Sequence, residues 1–323
     1  ETLAHPTPRL WSVKDAIAFI SWLQDSAHGY VSPRSLPTDA PEWTPFKSVP
    51  SKASIATTLK VLNALFKFWV ASGYIERSPM LGLGRESSRG QKRVVRSVAP
   101  QFMEAVFRHL EVSAGTQPRQ FLRMVRNRFI LVLLERTGLR ANEAVQANMD
   151  DIEPVTDPRD QQTYWRLNVR FAKGGKESSV LLDSVVLDAL RDYRTAFGFP
   201  SMPTGDERDT ALILSAHTDS LRRRHDTTIR FSAPMMRRSR AWRPIRRRQT
   251  LWSIVKTEFK ETAAALRQQG YAEQADHLEK ASTHWLRHTF GTRLVQEGHD
   301  LRLVAQMMRH ASIHTTMIYT EQE

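Results

Sequence analysis

The sequence predicts a mainly α-helical fold with a small antiparallel β-sheet, divided into two domains. Its 323 residues are well above the ~150 typical of one domain. Apolar residues recur at helical spacing in most of the chain, whereas 165–172 alternates between apolar and polar residues as a strand does. Hydrophobic residues make up 41% of the chain and charged residues 25%, a balance typical of globular rather than disordered proteins.

The first domain, expected at 1–84, is helical in its pattern. The helix expected at 12–26 opens with Ser-Val-Lys-Asp, which resembles a capping box. A second helix, expected at 54–72, precedes Gly73, a residue type suited to the left-handed end of a helix. The stretch 85–96, rich in glycine, serine and charged residues, predicts a linker to the next domain.

The second domain, expected at 97–323, contains a helix with a fully apolar interior. This helix, at 121–137, includes six consecutive apolar residues at 129–134 and stops at Gly138. A helix of that kind must be buried nearly all round.

A hairpin is predicted further along the second domain. Its strands lie at 165–172 and 178–182, and the two glycines between them predict a tight antiparallel turn. Lys173 and Lys176 flank these glycines, so we expect a lysine at the tip of the hairpin. From Leu251 onward the pattern is that of short helices.

The chain is basic, and its charge is concentrated in one segment. Lysine and arginine number 47 against 34 for aspartate and glutamate, a net charge of +13. An insertion at 221–248 holds eleven arginines and a single acidic residue, Asp226. This predicts a polyanionic partner, nucleic acid above all, because guanidinium groups form forked contacts with phosphates; the alternative is a solvated basic loop. The candidate DNA-binding residues are Arg222, Arg223, Arg224, Arg237, Arg238, Arg246, Arg247 and Arg248.

Several classes of protein find no support in the sequence. Cysteine is absent, which excludes disulfides, thiolate nucleophiles and cysteine-bound zinc. No apolar run approaches the ~18 residues that a membrane span needs, so we expect no membrane partner. The sequence also lacks the Gly-x-Ser-x-Gly elbow of hydrolases and the glycine-rich loops that bind nucleotides and dinucleotides.

Three short segments, or boxes, contain polar residues whose types and spacing make them candidate functional residues. The first contains Arg140 and Glu143 just after a Thr-Gly-Leu turn. The second contains His284 and Arg287, which share one face of a predicted helix because they are three residues apart. The third, 308–320, reads MRHASIHTTMIYT and contains two histidines and a tyrosine.

The histidine spacing in the second box only partly matches a zinc motif. His284 and His288 are four residues apart, as zinc ligands on a helix can be. Trp285, however, stands where the zinc motif His-Glu-x-x-His has glutamate, and no further set of ligands is evident. We therefore predict neither a metal ion nor any other cofactor.

Taken together and in this order, the boxes resemble those of the tyrosine recombinase (phage integrase) family. TGLRANEA is similar to the first arginine box of that family, HWLRHTFGTRL resembles its second box, and MRHASIHTTMIYT resembles its closing His-to-Tyr segment. The resemblance covers roughly 97–323, and the helical first domain looks like the family's SAM-like core-binding domain. It implies a core-binding domain and an α+β catalytic domain that form a clamp around DNA.

The resemblance also implies a mechanism. A site-specific recombinase of this family cleaves and rejoins DNA without metal or ATP, through a 3′-phosphotyrosyl bond and a free 5′-hydroxyl. The two arginines would bind the phosphate, Lys173 would protonate the leaving 5′-oxygen, His284 would help take the tyrosine proton and His310 would donate to the phosphate. Lys176 stays an alternative to Lys173. The implied catalytic residues are Arg140, Lys173, His284, Arg287, His310 and Tyr319, with Glu143 as a supporting residue.

The partners and the biological task follow from the same resemblance. The expected partner is a double-stranded DNA recombination site, bound by a dimer and brought by synapsis into a homotetramer that exchanges strands through a Holliday junction. Integration, excision or cointegrate resolution for a mobile element fits this chemistry, and the expected location is a bacterial cytoplasm. Whether the reaction also needs an accessory DNA-binding protein is left open by the sequence. Two alternatives are a type IB topoisomerase-like relaxing activity and a catalytically silent DNA-binding protein of the same fold.

The sequence departs from the family pattern at two positions beside the expected site. Arg309 stands where a glycine usually precedes the histidine, and Trp285 stands where an acidic residue is common. Four residues follow Tyr319, whereas many relatives continue into a further helix that docks on a neighbouring subunit. We expect the local geometry to differ at these positions while the catalytic roles are kept.

Overall fold

The computed structural model describes residues 7–32, 36–83, 96–115, 117–170, 178–218, 242–310 and 316–319. The fold is mainly α-helical with small antiparallel sheets, as the sequence predicts. The chain divides into two compact units, Glu1–Arg93 and Val94–Glu323. None of the described helices combines the length and the apolar character needed to cross a membrane.

Two α-helices lie in the described part of the first unit. Helix α1 spans Val13–Ser21, and Ser12 forms the predicted capping box at its start. The helix predicted at 12–26 is confirmed as helical to its end, but its last five residues, Trp22–Ser26, form a π-helical turn rather than an α-helix. Helix α2 spans Lys52–Ala71 and is followed by Gly73 with a positive φ of 72°. Ala16, Phe66, Ile75 and Met80 form one buried cluster in the core of this unit.

The second unit is built around one buried helix, α4, at Pro118–Thr137. Its apolar block, 129–134, is at most 4% exposed at every position, which confirms that this part of the helix is buried all round. Helix α4 packs against α3, α6, α7 and α9. The remaining helices are α3 Pro100–Ser113, α5 Ala141–Gln146, α6 Ser184–Ala196, α7 Arg248–Gln268, α8 Ala272–Lys280, α9 Thr283–Gln296 and α10 Leu301–Met307, followed by a 3-10 turn at Met317–Tyr319.

The predicted strands belong to a three-stranded antiparallel sheet, β1-β2-β3. Strand β1 spans Ile152–Thr156, β2 spans Thr163–Val169 and β3 spans Ser178–Leu182. The turn between β2 and β3, at 171–177 with Lys173 and Lys176, lies outside the described residues. The sequence analysis did not identify β1, because Pro154 breaks a strand pattern; the structure accommodates the proline since β1 is an edge strand.

A two-stranded sheet marks where the arginine-rich insertion returns to the fold. Strand β4, Leu214–Thr218, pairs with β5, Trp242–Pro244. Trp242 is 8% exposed and Ile245 is 5% exposed, and both belong to the core of the unit. The segment 242–248 is therefore part of the folded domain, whereas 219–241 lies outside the described residues.

Candidate active site

Two helix ends in the left-handed conformation form the frame of the candidate site. Helix α4 ends at Gly138, with φ of 58°. Helix α10 ends in a Schellman motif: the N–H of Arg309 donates to Gln306 O, and the N–H of His310 donates to Ala305 O, both at 2.9 Å. Arg309 itself has φ of 54°, a conformation that disfavours non-glycine residues by about 1–2 kcal/mol. The motif explains why glycine suits this position. It also fixes the backbone of His310, whose N–H is part of the motif.

Two arginines connect these helix ends. Arg287, from the middle of α9, is 4% exposed and donates from one Nη to Gly138 O and from the other to Met308 O. Arg140, at the start of α5, donates to Arg309 O at 3.3 Å. The carbonyl oxygens at helix C-termini carry partial negative charge and favour nearby cations. Both guanidinium groups are therefore held in place before any substrate binds.

Glu143 is the carboxylate at the centre of this arrangement. It accepts from the backbone N–H of Arg140 at 2.9 Å, from Arg140 Nη1 at 2.7 Å and from Arg309 Nη2 at 2.9 Å. Burial alone would raise the pKa of Glu143, but Arg309 and Arg140 outweigh it and lower that pKa below the ordinary value. Glu143 is consequently ionised at neutral pH.

Tyr319 completes the cluster of Arg140, Glu143, Arg287 and His310 that forms the candidate pocket. It lies on the 3-10 turn Met317–Tyr319 and is 3% exposed. Its ring centroid is 5.5 Å from that of His288 and 6.3 Å from that of His310. A Cβ added at Gly291 of α9 would lie 2.6 Å from Tyr319 Cζ. The missing side chain at Gly291 therefore leaves the space that the tyrosine ring occupies.

The histidines of the pocket are fixed by specific partners. The Nε2 atoms of His284 and His288 are 3.0 Å apart, so one of them donates to the other. His310 Nδ1 lies 2.8 Å from Thr316 Oγ1. Sequence reasoning considered His288 only as a zinc ligand, although the spacing of four residues already placed it on the face of His284. Thr316, fully buried, gave no signal in the sequence.

The charges of the pocket follow from burial and crowding of cations. Burial, followed by neighbouring cationic and imidazole groups, lowers the pKa of both His288 and His310 to about 4. Burial and the guanidinium groups of Arg140 and Arg309 lower the pKa of Arg287 to about 10. Burial raises the pKa of Tyr319 to about 12, although Arg287 opposes the shift. At neutral pH the pocket thus combines cationic arginines with neutral imidazoles and a neutral phenol, and it is suited to an anion.

The other predicted site residues do not all join this pocket. Lys173 and the candidate DNA-binding arginines between 222 and 238 lie outside the described residues. Arg246 donates to the carbonyl oxygens of residues 145–147 and to Asn148 Oδ1, and so binds the C-terminal end of α5. Arg247 and Arg248 are exposed at the start of α7. The structure brings together Arg140, Glu143, His284, Arg287, His310 and Tyr319.

Comparison with known proteins decides the family. Residues 114–323 match the model of the phage integrase family. The chain belongs to the phage integrase family. It is a tyrosine-type site-specific recombinase of mainly α-helical fold with small antiparallel sheets.

Individual relatives agree with this assignment. Over 270 residues the chain is 27% identical to tyrosine recombinase XerD of Mycobacterium tuberculosis (strain H37Rv), covering 84% of this chain and 70% of the relative. It is 28% identical over 272 residues to XerD of Mycobacterium leprae, with the same coverage.

Two solved structures share the fold. XerH recombinase bound to a palindromic difH substrate in a post-cleavage complex matches with a TM-score of 0.56 at 16% identity, covering 97% of this chain and 69% of that one. The Tn1549 transposon integrase in complex with circular intermediate DNA matches with a TM-score of 0.53 at 14% identity, covering 99% and 84%.

The depressed pKa values of His288 and His310 predict a pH-dependent stability. Between pH 6.5 and 4 the unfolded chain binds protons on these histidines that the folded protein does not, so the free energy of unfolding falls as the pH falls through this window. Urea denaturation followed by circular dichroism at a series of pH values measures the slope. The variants His288→Gln and His310→Gln should each flatten it, whereas His109→Gln, on α3, serves as the control. A slope unchanged in both pocket variants contradicts the assignment of neutral imidazoles.

The close approach of Gly291 to Tyr319 predicts a large effect from one added methyl group. In Gly291→Ala the new Cβ would lie 2.6 Å from the Tyr319 ring and from Met308 Sδ, so the ring must shift even though alanine favours the helix. A displacement of about 1 Å at a reacting group reduces rates by roughly 10². We expect that reduction in the rate of covalent protein–DNA adduct formation. Gly29→Ala, where the added Cβ meets nothing within 4 Å, is the control; equal rates for both variants would show that the glycine does not position the tyrosine.

Proposed function

We propose that this recombinase cleaves and rejoins the DNA of a mobile element through a 3′-phosphotyrosyl intermediate formed by Tyr319. The observation that carries the proposal is the convergence of Tyr319 with Arg140, Arg287 and His310 in one positively charged pocket. Integration, excision and cointegrate resolution all use this chemistry, and a bacterial cytoplasm is the proposed location.

The chemistry proceeds by exchange of one ester for another. Tyr319 Oη attacks the scissile phosphorus, the bond from phosphorus to the 5′-oxygen breaks, and the phosphate becomes a tyrosyl ester. The leaving 5′-oxygen takes a proton from Lys173, which acts as the general acid. Because the ester linkage is retained, the reverse attack by a 5′-hydroxyl rejoins the strand without a nucleotide cofactor.

Arg140 and Arg287 stabilise the negative charge that develops on the non-bridging oxygens of the scissile phosphate. Each guanidinium presents several N–H donors, so it keeps donors for the non-bridging phosphate oxygens while it stays bound to the carbonyls of the helix ends. Donors fixed in advance need no reorganisation when charge develops, and one such donor is typically worth about 10²–10³ in rate.

The tyrosine proton leaves through the histidines of α9. The phenol is neutral in the free protein, since its pKa is about 12, and it needs a base when it attacks. His288 lies against the ring, and its Nε2 is 3.0 Å from that of His284, so the pair provides a route from the phenol to the more exposed imidazole of His284. His310, held by Thr316, donates to the phosphate instead.

The DNA partner is a double-stranded recombination site. Two neighbours in fold, XerH with difH and the Tn1549 integrase with circular intermediate DNA, are complexes with DNA, which supports this partner. We propose that 1–84 is the core-binding domain and 97–323 the catalytic domain, joined by a linker at 85–96, and that both contact the duplex as a clamp. A dimer on each site and a homotetramer on two synapsed sites complete the proposal.

The start of α7 is a proposed contact with DNA phosphates. Arg247 and Arg248 are exposed there, at the positive end of a helix, where cations are unfavourable by about 0.3–1 kcal/mol each. A phosphate nearby would remove that disadvantage. Arg246 is left out of this contact, since its donors already bind the end of α5.

The proposal for Tyr319 is tested with a nicked suicide duplex that carries the recombination site. We expect a protein–DNA adduct stable to denaturation for the natural chain and for Tyr271→Phe, an exposed tyrosine at the start of α8. Tyr319→Phe should bind the duplex but form no adduct. An adduct formed by Tyr319→Phe contradicts the proposal, and relaxation of supercoiled DNA without recombinant products would favour the topoisomerase alternative.

The choice of Lys173 over Lys176 has its own test. Lys173→Ala should reduce cleavage of ordinary DNA by roughly 10²–10⁴, and a 5′-bridging sulfur at the scissile bond should restore it, because a thiolate leaves without a proton. Lys176→Ala should cleave both substrates at nearly the normal rate. The opposite pattern would assign the general acid to Lys176.

The phosphate-binding role of the α7 start predicts a change in salt dependence. For the double variant Arg247→Gln and Arg248→Gln, the slope of log affinity against log salt should become shallower by up to about 0.9 for each phosphate that is no longer neutralised. Fluorescence anisotropy with labelled duplex between low and physiological salt measures the slope. The double variant Arg108→Gln and Arg159→Gln removes two exposed arginines elsewhere; an equal change in this control would mean that only net charge matters.

A further inference from the structure

Arg309 is the feature of the pocket that the recombinase chemistry above does not use. Its side chain is only 8% exposed, its backbone is in the left-handed region, and its Nε is buried without a hydrogen-bond partner among the described residues. Each of these features opposes stability. A residue that is unfavourable in three respects is better explained by the site that it serves than by the stability of the helix end.

The contacts of Arg309 lead directly to Arg140. Arg309 Nη2 is 2.9 Å from Glu143 Oε2, and the other oxygen of that carboxylate, Oε1, accepts from Arg140 Nη1 at 2.7 Å. Arg309 O in turn accepts from Arg140 Nη2 at 3.3 Å. Through its side chain and its backbone, Arg309 therefore contacts both partners of an ion pair that includes a phosphate-binding arginine.

The balance of charge gives this arrangement its significance. Among the residues that the structure describes, the charged groups joined by these hydrogen bonds are the guanidinium groups of Arg140, Arg287 and Arg309 and the carboxylate of Glu143. Their sum is two positive charges. A phosphodiester carries one negative charge, and the five-coordinate species formed when the phenolate attacks carries two, both on its oxygens. If Arg309 were absent, Glu143 would neutralise Arg140 alone and only one positive charge would be left.

We propose that Arg309 is a positioning residue that neutralises and orients Glu143, so that Arg140 keeps its full charge for the scissile phosphate. This inference rests on the proposed function of the pocket. It does not require Arg309 to touch the DNA. It predicts that removal of the Arg309 side chain acts through Glu143, which distinguishes it from a general role in folding.

The test uses Arg309→Gly, because glycine suits the left-handed backbone and removes only the side chain. Single-turnover cleavage of the nicked suicide duplex at saturating protein should be slower by about 10- to 100-fold, less than the ~10³ that removal of a direct donor can cause. The urea midpoint should stay equal or rise, since the backbone strain is relieved. Arg309→Lys, which keeps the charge, should retain most of the rate.

The decisive variant is Arg309→Gly combined with Glu143→Gln, compared with Arg309→Gly alone and Glu143→Gln alone. Without the carboxylate nothing competes for Arg140, so the double variant should cleave faster than Arg309→Gly. The inference is overturned if Arg309→Gly cleaves like the natural chain, or if Glu143→Gln gives no recovery in that background. Failure of the natural chain to form any adduct would instead overturn the proposed function, so the two failures are distinguishable.

Discussion

The site depends on one interaction, the binding of buried guanidinium groups to the carbonyl oxygens of two helix ends. Arg287 bridges the end of α4, at Gly138, and the end of α10, at Met308. The first arginine box and the closing His-to-Tyr segment are far apart in the chain, and this bridge brings them together. The position of His310 follows, because the chain reaches it directly after the end of α10.

The same arrangement places several cationic side chains close together, where they are largely shielded from solvent. Burying like charges is unfavourable unless hydrogen bonds and opposite charges compensate. Here the carbonyl oxygens and the carboxylate of Glu143 compensate in part. Burial first, and neighbouring cationic groups second, lower the pKa values of Arg287, His288 and His310. An entering phosphate supplies the missing negative charge. Repulsion between these cations lowers the stability of the free protein. A bound phosphate relieves it, and most of all in the transition state, where the negative charge on the phosphate oxygens is greatest.

Local sequence signals predicted much of this architecture. The capping box at Ser12, the glycines that follow α2 and α4, and the buried block at 129–134 depend on short stretches of chain, so they can be recognised without knowledge of the tertiary fold. The order of the boxes likewise indicated the family resemblance, and that resemblance named most of the residues that line the pocket. Strand β1 was missed because its proline is tolerated only at the edge of a sheet, and the position at the edge is a property of the assembled fold.

Other features depend on tertiary contacts that no local pattern reveals. Arg246 was grouped with the DNA-binding arginines, yet it binds the end of α5, and composition cannot separate an arginine that caps a helix from one that faces solvent. His288 looked like half of a zinc motif, and its contact with Tyr319 arises only when α9 meets the closing segment. Arg309 was visible as a departure from the family pattern, but its partner Glu143 could be identified only in the folded chain.

The central claim is that guanidinium groups fixed in this pocket neutralise the charge of the scissile phosphate. The most direct measurement compares Arg140→Ala on two nicked duplexes, one with an ordinary scissile phosphodiester and one with an uncharged methylphosphonate at that position. The account predicts almost no covalent adduct on the phosphodiester and substantial adduct through Tyr319 on the methylphosphonate, because no charge remains to be neutralised. Equal failure on both duplexes by a variant that folds and binds DNA normally would contradict it.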